Sequence, residues 1–144
     1  VDEKLISRIA DIHGVQSVIL SIDVKRNLFG KYEMYSANGT IRIKKNPVEW
    51  ISHMEKIGVG EVLVTSMDRD GTWGGYDLDI TEKIASSVKI PVIVNGGGGS
   101  ISDLEKAVRS CGVSAVAAGS FFVYQKKDMG VLINYPTRKE LINV

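Results

Sequence analysis

The sequence predicts an α/β fold built on a parallel sheet. Four short apolar runs, Ser17–Asp23, Gly60–Asp68, Ile90–Gly97 and Ser114–Ser120, are nearly continuous in Val, Ile, Leu and Ala. Such runs suit strands buried on both faces. Segments with helical periodicity lie between them, and that alternation builds βαβ units. The 144 residues, 44% hydrophobic and 24% charged, match the average for one globular domain.

Taken in order, Val1 to His13 reads as an amphipathic helix with Leu5, Ile6, Ile9 and Ile12 on one side. The chain has no initiator methionine and opens inside this helix, so a preceding segment is expected; a processed terminus is the alternative. The first strand, "SVILSID", comes next. Between Asp23 and Asn46 the rhythm breaks, and "GKYEMYSANGTIRIKK" shows two alternating runs around Asn38-Gly39, a strong hairpin signal. The hairpin is expected as an insertion at about residues 27–45. "NPVEWISHMEKIG" predicts a helix with Asn46 as cap, Pro47 at its first position and Gly58 past its end. After the second strand, "DLDITEKIASSV" predicts another helix. The third strand is followed by "SISDLEKAVRSCG", with Ser102 as the expected cap and Gly112 at the close. No linker or low-complexity tract intervenes, so residues 1–144 are expected to form a single unit.

Charge and composition narrow the function. With 18 basic and 17 acidic residues the net charge is +1, which offers no field for nucleic acid or an anionic membrane. No apolar run approaches the roughly 20 residues of a membrane helix, and the first residues carry neither a basic leader nor an apolar signal core. The lone Cys111 excludes an internal disulfide framework and fits a reducing compartment, so a cytoplasmic location is expected. His13 and His53 stand at no metal-ligand spacing, so no metal is expected. Cys111 reads as a small buried hydrophobe.

Chemistry-bearing residues collect where the strands end: Asp23 with Lys25, Asp68 with Asp70, Asn95 with four glycines, and Gly119 with Ser120. In parallel α/β folds those ends form the ligand face. Gly96 to Gly99 let backbone N–H groups approach an anion with no Cβ in the way, and Ser120 does the same from the next strand end. The alternative is a tight turn without a ligand. Asp23 suits general acid–base work, against the alternative of an ion pair with Lys25 or Arg26. Asp70, before Gly71, either lines the site or holds a turn. Glu61, at the opposite end of its strand, serves stability or gates an entry. Trp50 is expected to pack its helix onto the sheet, and Trp73, in a Gly-rich loop, to form a mobile lid.

"VILSIDVKR", "VLVTSMDRDGTWGGYD" and "IPVIVNGGGGSISD" together resemble the C-terminal half of the cyclase-subunit family of imidazole glycerol phosphate synthase. The likeness runs from about Val1 to Ser120, and the "DRDGTxxGYD" string is its most specific part. The resemblance implies a (β/α)8 (TIM) barrel made of two similar halves. A complete barrel takes about 250 residues, so this chain would supply four βα units, strands five to eight, with the hairpin inserted after the first.

The resemblance also implies roles. Asp23 falls on one of two catalytic aspartates, the acid–base of ring closure; the other belongs to a strand outside this chain. Gly96, Gly97, Gly119 and Ser120 fall on a phosphate site, and Asp70 and Gly71 on the active face. Ser36 and Asn38 fall where the hairpin bears small polar residues near substrate. Glu61 falls on a charged ring through which ammonia from a glutaminase partner, the other half of a heterodimer, enters. The implied reaction joins ammonia to a phosphoribulosyl formimino aminoimidazole carboxamide ribotide. It then yields imidazole glycerol phosphate and an aminoimidazole carboxamide ribotide, as a step of histidine biosynthesis, with no metal or organic cofactor.

Three features depart from that pattern: Ile43-Lys44 in place of Thr-Gly, Asn95-Gly-Gly-Gly-Gly-Ser in place of Ser-Gly-Gly-Ala-Gly, and the tail "VLINYPTRKELINV". The tail resembles a paralogous branch that passes ammonia to a sugar amidation in surface-polysaccharide synthesis, a second reading that the tail and hairpin favour. A third is a non-catalytic half-barrel that binds phosphate. Half a barrel leaves sheet edges and an apolar interior uncovered, so a homodimer or larger assembly, inactive as the chain alone, is expected.

Overall fold

The computed structural model describes residues 2–124, 130–133 and 135–142. Helix α1 (Glu3–His13) leads through a 3-10 turn (Val15–Ser17) into strand β1 (Ile19–Arg26). A hairpin, β2 (Tyr32–Ser36) and β3 (Ile41–Ile43), follows, then α2 (Pro47–Ile57) and β4 (Glu61–Ser66). The rest is α3 (Leu78–Ala85), β5 (Val92–Asn95), α4 (Ile101–Cys111), β6 (Ala115–Ala117) and a single turn, α5 (Ser120–Val123). The six strands form one mixed sheet in the order β3-β2-β1-β4-β5-β6. β1, β4, β5 and β6 run parallel, and the hairpin adds antiparallel strands at the β1 edge.

One face of the sheet makes the core. Leu20, Ile22 and Val24 of β1, Val62 and Val64 of β4, and Val92 and Val94 of β5 alternate onto it and are buried. Ile51 and Met54 of α2, Ile80 and Ile84 of α3, and Leu104 and Ala107 of α4 pack against them. The opposite face carries no helix among the described residues. There Leu63 and Ile93 are half-buried and Ile19 is 57% exposed. The expectation of strands buried on both faces is therefore corrected: the helices described cover one face only.

Helix ends follow local chemistry. Asp2 caps α1, its carboxylate accepting from the Lys4 and Leu5 N–H groups. Asn46 caps α2 with Pro47 behind it, and Gly58 ends it. For α4 the cap is Ser100 rather than Ser102. Ser100 Oγ accepts from Asp103 N–H at 3.2 Å while donating to Asp103 Oδ2 at 2.8 Å, a reciprocal box that starts the helix two residues earlier. Gly112, left-handed at φ +66°, closes it.

Strand ends differ from the apolar runs. β1 continues past Asp23 to Arg26 because β2 pairs with that extension, from Asp23 opposite Tyr35 to Arg26 opposite Tyr32. β4 stops at Ser66, before Asp68, and β6 at Ala117, before Gly119. In α1, Ile6 and Ile9 are half-buried while Leu5 and Ile12 stay exposed. Val1, and Asn134, Asn143 and Val144 of the tail, lie outside the described residues. Trp50 is half-buried against the core, with the Lys45 ammonium 3.4 Å over its ring. His53 pairs with Glu3 at 3.2 Å, and burial pushes the Cys111 thiol upward. No helix among the described residues is long and apolar enough to cross a membrane.

Ile84, fully buried between α3 and the sheet, and Leu28, fully exposed, make a clean contrast. Ile84→Ala is expected to cost about 2–5 kcal/mol in urea unfolding, and Leu28→Ala to stay within about 0.5 kcal/mol.

Candidate functional site

The parallel register sets the site. Asp23 pairs with Thr65, Thr65 with Asn95, and Asn95 with Ala117, so these four form one row across the sheet. Side chains alternate along a strand, and this row lies on the face without helices. Asn95 Nδ2 donates to Thr65 Oγ1 at 3.3 Å. The row beneath is Ser21, Leu63, Ile93 and Ala115, and beneath that Ile19 stands beside Glu61. The site thus has a polar upper row over an apolar floor.

Asp23 is half-buried, and among the described residues no cation neutralises it. The alternative ion pair with Arg26 is not formed, because Arg26 turns to Asp77 and Asp79, at 3.3 and 3.1 Å. Lys25 also makes no ion pair with it. Adjacent strands lie about 4.8 Å apart, which puts Asp23 about 10 Å from Asn95 across β4. A carboxylate held by strand backbone and left unpaired can take or give a proton.

Beyond Asn95 the chain turns through Gly96–Gly99 into the Ser100 cap of α4. Gly96 and Gly97 have φ of +89° and +107°. A Cβ on Gly96 would stand 2.7 Å from Ser66 O, and one on Gly97 would collide with Gly75 O. Gly98 and Gly99 are pressed in the same way, by Tyr76 Oη and the Trp73 backbone. The turn is therefore glycine because the loop joining β4 to α3, residues 67–77, lies directly on it. Gly75 N–H donates to Gly97 O at 2.9 Å. Tyr76 Oη donates to Ala117 O at 3.0 Å; burial, and then the nearby Asp103, push its pKa up to about 12.

These elements line a small recess, with a cavity volume of about 10 Å³. Asp70, Gly71 and Trp73 form one side, Asn95 to Gly98 the floor, and Ala118, Gly119 and Ser120 the other side. Among the described residues the N–H groups of Gly97, Gly98 and Ser120 meet no protein acceptor. Backbone N–H groups converging without partners make an anion site. Among the described residues no lysine or arginine lines the recess, and the Asp70 carboxylate stands at its rim.

Six of the residues anticipated from sequence thus meet in one place: Asp70, Gly71, Gly96, Gly97, Gly119 and Ser120. Asp23 lies on the row that leads to it. Ser36 and Asn38 do not line it; they sit at the hairpin tip, where Asn38 has φ +55° and a side chain at Gly39 would meet the Met67 thioether. Glu61 begins β4, at the end away from the recess. Trp73, left-handed at φ +61°, stands edge-on to Phe121 with ring centroids 6.3 Å apart, packed rather than free. Sequence reasoning passed over Thr65, whose signal was its even spacing from Glu61 and Leu63 on one strand face. It also passed over Tyr76, an aromatic between two glycine segments. A larger open groove between the hairpin and the starts of α2 and α3, lined by Lys31, Arg42, Lys44 and Lys45, holds none of these residues. Among the described residues no cluster of His, Cys, Asp and Glu can hold a metal ion.

Residues 1–128 match the family model described as histidine biosynthesis protein. A Pseudomonas aeruginosa protein carrying the provisional name imidazole glycerol phosphate synthase subunit is 48% identical over 140 residues, 97% of this chain and 56% of its own length. The imidazole glycerol phosphate synthase subunit HisF of Alkaliphilus metalliredigens is 42% identical over 123 residues, 85% of this chain and 49% of its own. That of Chlorobium phaeobacteroides is 43% identical over 125 residues, 86% and 49% respectively. The chain spans about half the length of the curated relatives it matches.

Gly97→Ala is expected to destabilise by at least about 1–2 kcal/mol, from the left-handed backbone alone, and to disorder the recess. Gly119→Ala, at φ −85° with open space around it, is expected to stay within about 0.5 kcal/mol. Thermal melts of the two variants check this.

Proposed function

The chain belongs to the histidine biosynthesis protein family, and on that footing we propose that the protein carrying it is the cyclase subunit of imidazole glycerol phosphate synthase. Its four parallel strands with their helices are the C-terminal half of a (β/α)8 barrel, the hairpin is an insertion in that half, and residues 1–144 act as one unit. The first half of the barrel covers the open face and brings the second aspartate.

The observation that carries this reading is the register row in which Asp23, Thr65 and Asn95 lead to the glycine recess. One phosphate of a bisphosphorylated substrate takes the Gly97, Gly98 and Ser120 N–H groups, with Gly96 and Gly119 keeping the wall free of Cβ atoms. Asp70 and Gly71 close the rim. The sugar chain then lies along the sheet toward Asp23, a span of about 10 Å set by two strand spacings. Asp23 moves protons while the ring closes: it takes one from the attacking nitrogen and returns one to the departing group, so the carboxylate ends as it began. Ser36 and Asn38 reach over from the hairpin, whose tip rests on Met67 at the end of β4.

Ammonia comes from a glutaminase subunit docked below Glu61, at the opposite end of the strands, and the reaction runs in the cytoplasm without metal or organic cofactor. The 144 residues alone lack the second aspartate and leave Ile19, Leu63 and Ile93 on an uncovered face. Alone, the chain is inactive and associates with itself through its open sheet edges.

In the intact protein Asp23→Asn is expected to lower ammonia-dependent turnover by about 10²–10⁴-fold while leaving the Kd for inorganic phosphate unchanged. Undiminished turnover removes Asp23 from the mechanism. The 144-residue chain is expected to run as a dimer or larger in light scattering; a monomer with a cooperative melt defeats the association.

A further inference from the structure

One wall of the recess is the loop of residues 67–77, and Asp77 at its far end is 5% exposed. Asp77 holds the N-cap position of α3, where an aspartate ordinarily accepts from its own helix's N–H groups. It makes no such bond. Its carboxylate faces the hairpin instead: Oδ1 accepts from Tyr32 Oη at 2.7 Å and from Arg26 Nη2 at 3.3 Å. Arg26 also bonds Tyr32 Oη, reaches Asp79 at 3.1 Å, and lies 4.6 Å above the Tyr32 ring. At the near end of the loop, the Arg26 backbone N–H donates to Asp68 Oδ2 at 2.7 Å. Both ends of the loop are therefore tied to the edge of the sheet where β1 meets the hairpin.

We infer that Tyr32 and Arg26 are positioning residues for the recess. By holding Asp68 and Asp77 they fix the loop's height over the glycine turn, and so the Gly75–Gly97 contact that shapes the anion cradle. Capping bonds foregone at Asp77 are replaced by charge-assisted bonds to a buried carboxylate, which are the stronger kind. This rests on the reading of the recess as a phosphate site given above. It makes the hairpin part of the machinery: the Tyr32–Asp77 and Gly75–Gly97 hydrogen bonds are joined by the chain itself through Tyr76, so motion at Tyr32 reaches Gly97 along it.

Amide hydrogen exchange and titration with inorganic phosphate, both followed by NMR on the intact protein, test the inference. Tyr32→Phe keeps the ring and removes only the hydroxyl. It is expected to speed exchange at the Gly75 N–H by tenfold or more, leave Val62 and Val64 of the core unchanged, and weaken phosphate binding three- to tenfold. Arg26→Lys keeps the charge but loses the fork that reaches two partners, and is expected to do the same. Gly75 exchange that rises no more than that of Val62 and Val64 overturns the inference. So does faster Gly75 exchange with an unchanged phosphate Kd. Should the unsubstituted protein show no phosphate response at Gly97 and Gly98, the reading of the recess fails, and the positioning of it falls with that reading.

Discussion

Everything at the upper end of the sheet depends on the pairing register among β1, β4, β5 and β6. Side chains alternate with a period of two, so a slip of one residue would exchange the faces. Asp23 would then enter the core, and Ile22 or Val24 would take its place on the open face. The register is held from the other side, by Leu20, Ile22, Val24, Val62, Val64, Val92 and Val94 packed under three helices. Core burial and site geometry are thus one constraint seen from two faces. The apolar face fixes which residues the polar row may contain.

The second constraint is the close approach of two backbones. The 67–77 loop rests on the glycine turn without room for side chains, and the Gly75–Gly97 hydrogen bond joins them. Glycines carry a conformational cost in the unfolded state, and here the loop above supplies the compensating contacts. Tyr76 adds a tether to Ala117 on β6, so the loop bridges β4, β5 and β6 while Asp77 reaches back to the hairpin beyond β1. The recess is consequently built by four connections rather than by the turn alone.

The open face gives the third element of the design. It combines a polar row with an apolar floor of Leu63, Ile93 and Ala115, a composition suited to a covered interior and poorly suited to water. Relatives about twice as long supply the length that such a cover needs. Charge follows the same division. Ion pairs sit on the hairpin side and on the helix surfaces, while among the described residues Asp23, on the open face, has no cation partner.

Much was legible in the residues themselves, and the reason is locality. Asn46 with Pro47, Gly58 and Gly112 set helix limits through bonds spanning a few residues, and Cys111 is buried as its apolar surroundings suggest. The glycine run announced a turn that no side chain fits. Local rules also erred where two local solutions competed: Ser100 and Ser102 each have an acidic residue three positions on, Asp103 and Glu105, and it is Ser100 whose hydroxyl exchanges hydrogen bonds with Asp103 and caps α4. What the sequence by itself determined was the alternation of strands and helices, most helix caps and the cluster of chemistry at strand ends. Only the tertiary structure decided that Thr65 stands between Asp23 and Asn95, that one sheet face stays open, and that Asp77 leaves its own helix for Tyr32 and Arg26. Those facts rest on register and on contacts between residues up to 51 positions apart, distances over which no local periodicity carries information.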